Sequence, residues 1–144
     1  MGVKMEAKME QIIMPSARLE HELAECIGQW GWEYHHLGIP TKEKMVDEKY
    51  LSHFKLYVSG FPANPFGVEW MRWEPDSAFH PLVKTAPHLA FVVDDLDSEL
   101  EQRGFHVIVP PNPPSEGVRV AMIEMDGAPI ELMQFSEAPA PSQR

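Results

Sequence analysis

The sequence has little cysteine, little positive charge and no long apolar run. Its 144 residues contain one cysteine, Cys26, so no disulfide can form within the chain. A single thiol fits a reducing compartment. Only 12 lysines and arginines stand against 22 aspartates and glutamates, and the formal net charge is −10. Because so acidic a surface repels phosphate backbones, we expect no nucleic acid partner.

No stretch is long and apolar enough for a secretory signal or a membrane span. We therefore expect a cytoplasmic protein with no membrane partner. Apolar residues make up 44% of the chain, which is ordinary for a globular domain of this size. We expect one domain over residues 10–136, between a disordered N-terminus (1–9) and a disordered tail (137–144).

Apolar periodicity and turn signals are clearest in the second half of the chain. Residues 87–93 predict a strand, and residues 96–103 predict a short helix that ends at Gly104. Three more strands are predicted at 105–109, 118–125 and 128–135. A stiff, proline-rich loop over 110–114 follows the first of them, and Asp126-Gly127 predicts a hairpin between the last two. The order of elements is βαβββ.

The first half gives the same order in one of two registers. Strands are predicted at 34–39, 54–58 and 67–73. If a strand also starts at Gln11, a helix from Ser16 to Ile27 completes a βαβββ unit; the alternative starts the unit at 34–39. Two copies of one unit predict an α+β fold, with paired βαβββ modules (about 10–75 and 86–136) forming curved mixed sheets around a cavity.

Alternate residues of a strand point to the same face of the sheet, so residues two positions apart share a face. On two of the predicted strands, one such face carries a potentially catalytic or metal-binding side chain. Two faces combine a carboxylate with apolar side chains: Glu69, Met71 and Trp73 on one strand, and Glu131, Met133 and Phe135 on the last. If these faces and that of His88 line the cavity, Glu69 and Glu131 lie beside a histidine among apolar neighbours. Buried carboxylates are costly unless they are compensated, and a divalent cation would compensate them.

Two motifs resemble those of the vicinal oxygen chelate superfamily, which includes glyoxalases, bleomycin-resistance proteins and extradiol dioxygenases. The segment 87–97, PHLAFVVDDLD, resembles the opening of that superfamily's second module, and 126–132, DGAPIEL, resembles its closing hairpin and strand. The resemblance covers about residues 31–135. As in methylmalonyl-CoA epimerase-like members, it implies that His88 and Glu131 bind a metal.

The first module matches the superfamily in two ways. His36-Leu37-Gly38-Ile39 resembles the His-x-Gly-Ile opening of a first module, which implies His36 as a ligand. In the other register Gln11 takes that place. We favour His36, and we expect the side chain of His35 to point to the other face of the strand. Glu69 aligns with the closing strand of a first module, where glyoxalase I-like members place a carboxylate. The implied metal ligands are therefore His36, Glu69, His88 and Glu131.

The resemblance implies a metal-dependent lyase or isomerase of the glyoxalase type. It would act on a small oxygen-rich substrate through a chelated enediolate-like intermediate, with Glu69 or Glu131 moving the proton. The cofactor would be a divalent ion, and nitrogen and oxygen ligands do not choose among Zn, Ni, Co, Mn and Fe. We expect Met71, Trp73 and Met133 to contact the substrate.

Two alternative functions remain open at this point. One is a non-enzymatic small-molecule or antibiotic-binding protein of the bleomycin-resistance type. The other is an Fe(II) extradiol-type dioxygenase that uses His36, His88 and Glu131. For each function we expect a homodimer, because paired modules in this superfamily often complete their cavity across a dimer.

Overall fold

The structure, a computed structural model, describes residues 21–136, which belong to two units divided after Gly31. In the first unit, helix α1 is a single turn (Glu25–Gly28). The predicted helix from Ser16 to Ile27 is wrong over residues 21–24, which are not helical. Gln11, the start of that helix and both terminal segments that we expect to be disordered lie outside the described residues.

The second unit contains a single curled mixed sheet, which confirms the predicted α+β fold. Its strands are β1 (Glu33–Pro40), β2 (Lys49–Leu51), β3 (Leu56–Ser59), β4 (Val68–Trp73), β5 (His88–Val92), β6 (His106–Ser115), β7 (Val118–Met125) and β8 (Ala128–Phe135). Its helices are α2 (Pro81–Thr85) and α3 (Leu96–Arg103), and a 3-10 turn spans Phe61–Ala63. In the described part of the chain, no helix is long and apolar enough to cross a membrane.

The strand order, β2-β3-β4-β1-β5-β8-β7-β6, repeats one module on either side of the sheet's centre. The first strands of the two modules, β1 and β5, lie antiparallel in the middle. Each of them pairs in parallel with the last strand of its own module, β4 or β8. The two modules therefore meet along β1 and β5, and side chains from both can face one cavity.

The connection between the first two strands of the first module, β1 and β2, contains no helix. Residues 41–48 form bends and one turn instead. The guanidinium group of Arg72 donates to both carboxylate oxygens of Glu48, at 2.8 and 2.7 Å, and lies 4.1 Å from the centre of the Tyr57 ring. A bidentate pair of this kind holds the connection against the sheet in place of a packed helix.

The second module follows the sequence closely, with one exception. Helix α3 has the predicted bounds because Asp95 accepts a hydrogen bond from the backbone N–H of Ser98 at its start, and Gly104 takes a left-handed conformation (φ 63°) after its end. The predicted proline-rich loop, 110–114, is wrong, because these residues belong to β6. Strand β6 lies at the sheet edge and its register with β7 shifts three times, so its prolines need not donate ladder hydrogen bonds.

Part of the core of the second module lies between the sheet and α3. Leu96 and Leu132 are fully buried. The side-chain carbonyl of Gln134 on β8 accepts a hydrogen bond from the backbone N–H of Leu96, at 2.8 Å. This contact fixes the start of α3 on β8, the strand that carries Glu131.

Candidate metal centre

The register of the central strands brings two equivalent histidine–glutamate pairs together. Gly38 of β1 pairs with Glu69 of β4, and Ala90 of β5 pairs with Glu131 of β8. His36 lies two residues before Gly38, as His88 lies two residues before Ala90. Hence His36 and Glu69 are the counterparts in the first module of His88 and Glu131 in the second. This equivalence corresponds to the register in which the first module starts at His36.

Three of these side chains converge closely enough to hold one ion. The Nε2 atoms of His36 and His88 lie 3.3 and 3.0 Å from the same carboxylate oxygen, Oε1 of Glu131. One potential ligand atom from each of the three lies within 4.8 Å of the others. Both histidines are buried, at 5% and 2% exposure. Glu69 lies beside them, with Oε1 3.7 Å from Nε2 of His36, and its role as a fourth ligand stays a prediction.

Burial and charge act in opposite directions on the protonation of these groups. Burial alone would raise the pKa of Glu131, but His36 and His88 outweigh it and lower the pKa to about 2. Burial likewise lowers the pKa of His36, yet the interaction with Glu131 and the charge of Glu69 give a net rise. Burial raises the pKa of Glu69; the charge of Glu131 adds to this rise, whereas His36 and His88 oppose it.

His35 also faces the cavity, so the expectation that it points to the other face is wrong. The pairing of β1 with β5 shifts register between Tyr34 and His36, which leaves His35 as the extra residue of a β-bulge. Nδ1 of His35 lies 2.8 Å from Nδ1 of His36, and its ring stacks on Phe61 at 4.9 Å. Burial lowers the pKa of His35, and the charge of His36 adds to this effect while that of Glu131 opposes it.

Gly38 is a site residue whose role the sequence pattern alone does not reveal. A Cβ atom at this position would lie 2.2 Å from Cε1 of His88 and 2.8 Å from each ring nitrogen. The His88 ring therefore packs directly against the Gly38 backbone. Nδ1 of His88 is buried and has no hydrogen-bond partner among the described residues, so this packing and the 3.0 Å contact of Nε2 with Glu131 position the ring. The only sequence signal was the glycine of the His-x-Gly-Ile motif.

The triad opens into an apolar cavity of about 250 Å³ between the two modules. The three predicted substrate contacts, Met71, Trp73 and Met133, line it, although their contact with a substrate stays a prediction. Trp73 stacks on Phe79 with ring centres 5.0 Å apart, and Phe54 meets Phe79 edge-on at 5.1 Å. The described side chains around the cavity include Glu69, Glu131 and three histidines but neither lysine nor arginine.

The three converging residues fit a divalent metal ion. Nε2 of His36 is buried and points at the triad; its 3.3 Å contact with Oε1 of Glu131 lacks hydrogen-bond geometry, and no other described residue bonds to it. An unsatisfied buried nitrogen is costly, and a cation would satisfy it. Two imidazole nitrogens and a carboxylate suit several first-row divalent ions.

Comparison with known proteins supports the fold. No protein-family model and no curated protein matches the chain. Several solved structures match it, among them a hypothetical protein from Bacillus halodurans C-125 (16% identity, TM-score 0.59, covering 76% of this chain and 98% of that one) and methylmalonyl-CoA epimerase from Mycobacterium tuberculosis (20% identity, TM-score 0.53, covering 85% of this chain and 96% of that one). At these identities the likeness shows the fold alone, and this fold is the one that the resemblance to the vicinal oxygen chelate superfamily implies.

Proposed function

We propose that the protein is a metal-dependent lyase or isomerase of the glyoxalase type, acting on a small oxygen-rich substrate. The observation that carries the proposal is the convergence of His36, His88 and Glu131, with a fourth protonatable group, Glu69, beside them in one cavity. The fold shared with an epimerase agrees with this class of reaction but does not select it.

His36, His88 and Glu131 would hold the ion. A divalent cation bound there would act as a Lewis acid on two adjacent substrate oxygens and stabilise the negative charge that develops on them. The burial of both histidines keeps water away from their ring nitrogens. The donor set suits Zn, Ni, Co, Mn and Fe(II) alike.

Glu69 is the group that would move the proton. Its carboxylate lines the cavity and lies 3.7 Å from His36, at the edge of the triad. A carboxyl group whose pKa is raised by burial accepts a proton more readily than a solvated one and can return it, as a general acid–base must. In this scheme Glu69 removes a proton from the carbon next to the substrate carbonyl and delivers it to a neighbouring atom.

Proton exchange in D₂O tests this role. The methylene protons of 2-hydroxyacetophenone are followed by NMR with Ni²⁺-loaded protein. We expect exchange with the wild type and a loss of at least about 100-fold in Glu69→Gln, the usual size of a general acid–base contribution. Exposed Glu33→Gln on β1 is the matched control. Equal exchange by Glu69→Gln and the wild type would contradict the assignment.

Metal content of the same proteins separates this role from ligation. If Glu69 only moves the proton, Glu69→Gln keeps one ion per chain; loss of the ion would instead make Glu69 a fourth ligand. His88→Ala should lose the ion, and unchanged metal content in that variant would refute the metal site.

A second candidate is favoured by the composition of the triad itself. Two histidines and one carboxylate form the ligand set of Fe(II) oxygenases. The position of Glu69 beside His36 favours proton transfer instead. Oxygen uptake by the Fe(II)-loaded protein with catechol would support the dioxygenase. If the protein takes up no first-row metal, we expect it to be a non-enzymatic small-molecule binder. Light scattering tests whether the protein is the homodimer that we expect.

A further inference from the structure

The residues that line the cavity limit the charge and polarity of the part of the substrate that does not bind the metal. Apart from the triad, His35 and Glu69, the lining is almost entirely aliphatic and aromatic, with Ser115 as the polar exception. A phosphate or carboxylate group there would lie beside Glu69 and Glu131, with neither lysine nor arginine in the lining to pair with it. Burying an unpaired anion next to like charges is strongly unfavourable.

We propose that the substrate carries an uncharged, apolar body, one ring or a similar hydrocarbon group, seated against Trp73 and Phe79. This inference rests on the proposed function and names its substrate class. An apolar cavity of about 150 Å³ binds benzene. The cavity of about 250 Å³ therefore has room for a ring and a short oxygen-bearing chain. The stacked Trp73–Phe79 pair gives the ring an aromatic surface.

Calorimetry with three probes tests this in the full-length wild type, after chelation and again with Zn²⁺. In both forms, 2-hydroxyacetophenone should bind at least about tenfold more tightly than hydroxyacetone, which has the same oxygens without the ring. In the metal-free form, benzoylformate, which carries a ring and a carboxylate, should bind more weakly than 2-hydroxyacetophenone. Equal binding of the two ketones, or tightest binding of benzoylformate to the metal-free form, would overturn the proposal.

Variants of one strand locate the ring. Trp73→Leu should remove most of the preference for 2-hydroxyacetophenone, whereas Trp70→Leu, on the opposite face of β4, should keep it. An unchanged preference in Trp73→Leu would contradict the seat on Trp73. The comparison of the ligands in the metal-free form does not involve the ion. A result there that contradicts the apolar substrate would therefore not contradict the proposed metal site.

A different observation concerns His35. Two Nδ1 atoms 2.8 Å apart, as in His35 and His36, share one proton, because one ring must donate and the other accept. When Nε2 of His36 binds an ion, its proton must lie on Nδ1, so His36 donates and His35 accepts. Ligand histidines commonly donate their second N–H in this way, to a group that fixes ring orientation and tautomer.

We infer that His35 is a positioning residue that holds His36 in the ligating tautomer. The bulge in β1 places it there, and the stack on Phe61 fixes its ring, with 13° between the planes. This inference also rests on the proposed metal site. It accounts for how the two ligand histidines are held: His36 by a hydrogen bond, His88 by packing against Gly38.

Two substitutions of His35 distinguish its role as a hydrogen-bond acceptor from the stacking of its ring on Phe61. His35→Phe keeps an aromatic ring on Phe61 but has no acceptor, whereas His35→Asn keeps an acceptor close to Nδ1 and loses the stack. We expect His35→Phe to weaken Zn²⁺ binding by about 10- to 100-fold and His35→Asn to stay within a few-fold of the wild type. Nitrogen NMR of the Zn²⁺ form should show His36 protonated on Nδ1.

Four outcomes would each overturn one of these assignments. Wild-type affinity in His35→Phe, or equal weakening in both variants, would show that the acceptor has no role. Protonation of His36 on Nε2 in the Zn²⁺ form would exclude His36 as an Nε2 ligand. A wild-type protein that binds no Zn²⁺ would refute the proposed function itself, which the variants alone cannot do.

Discussion

Replacing Gly38 by alanine should weaken metal binding by moving His88. The added methyl carbon would lie 2.2 Å from Cε1 of the ring, whereas ordinary carbon contacts are about 3.5–4.0 Å. The ring must therefore shift by more than about 1 Å. The φ angle of Gly38 lies outside the left-handed region, so alanine causes no backbone strain, and the three atoms nearest to the new methyl carbon all belong to the His88 ring.

The size of the effect follows from the cost of overpacking. Forcing an extra methyl group into a packed site costs about 1–3 kcal/mol. If the strain falls on the ligand geometry, Zn²⁺ affinity falls by about 5- to 150-fold, since about 1.4 kcal/mol corresponds to a factor of ten. Competition with a chromophoric chelator measures this change, and thermal melting checks that the variant is folded.

The matched control is Gly28→Ala, also at an ordinary φ angle, where the nearest atom to the new Cβ is that of Leu23 at 3.4 Å. We expect its affinity to equal that of the wild type. An affinity within twofold of the wild type in a folded Gly38→Ala protein would refute the reasoning, because His88 would then bind the ion from another position or not at all.

Three further predictions concern the scaffold. Hydrogen bonds from Arg72 lower the pKa of Glu48 from 4.5 to about 2, so the pair stabilises the fold above pH 4.5 and ceases to do so as the pH falls towards 2. Glu48→Gln should therefore lower the melting temperature at pH 7 but not near pH 2. Exposed Glu43→Gln, the control, should leave the melting temperature unchanged at both pH values. A melting temperature of Glu48→Gln that stays below that of the wild type near pH 2 would contradict this. Asp95→Ala should lower the free energy of unfolding by about 1 kcal/mol through loss of the α3 cap, measured in urea, while Asp94→Ala should leave it unchanged. Leu132→Ala, at a fully buried site, should lower it by about 2–5 kcal/mol, and a loss below about 1 kcal/mol would mean that the core there is poorly packed.

Much of the second module could be predicted because its signals are local. The helix start at Asp95, the left-handed Gly104 and the Asp126-Gly127 turn each specify an element without help from the rest of the chain. Strand alternation also placed Glu69 and Glu131 correctly on the cavity wall.

The errors arise where pairing between strands overrides the local pattern. Period two predicts that His35 and His36 face opposite sides, but a register shift against β5 places both in the cavity. The prolines of 110–114 predict a loop, yet an edge strand tolerates them. The contact of Gly38 with His88 depends on residues 50 positions apart, and no local pattern contains it.

The most direct test of the metal centre is equilibrium binding of Zn²⁺ to the wild type and to variants of its three ligands. We expect one ion per chain for the wild type and for exposed Glu33→Gln, and loss of that ion in each of His36→Ala, His88→Ala and Glu131→Gln. A wild type that binds no ion, or variants that bind one ion with wild-type affinity, would contradict the assignment of this metal centre.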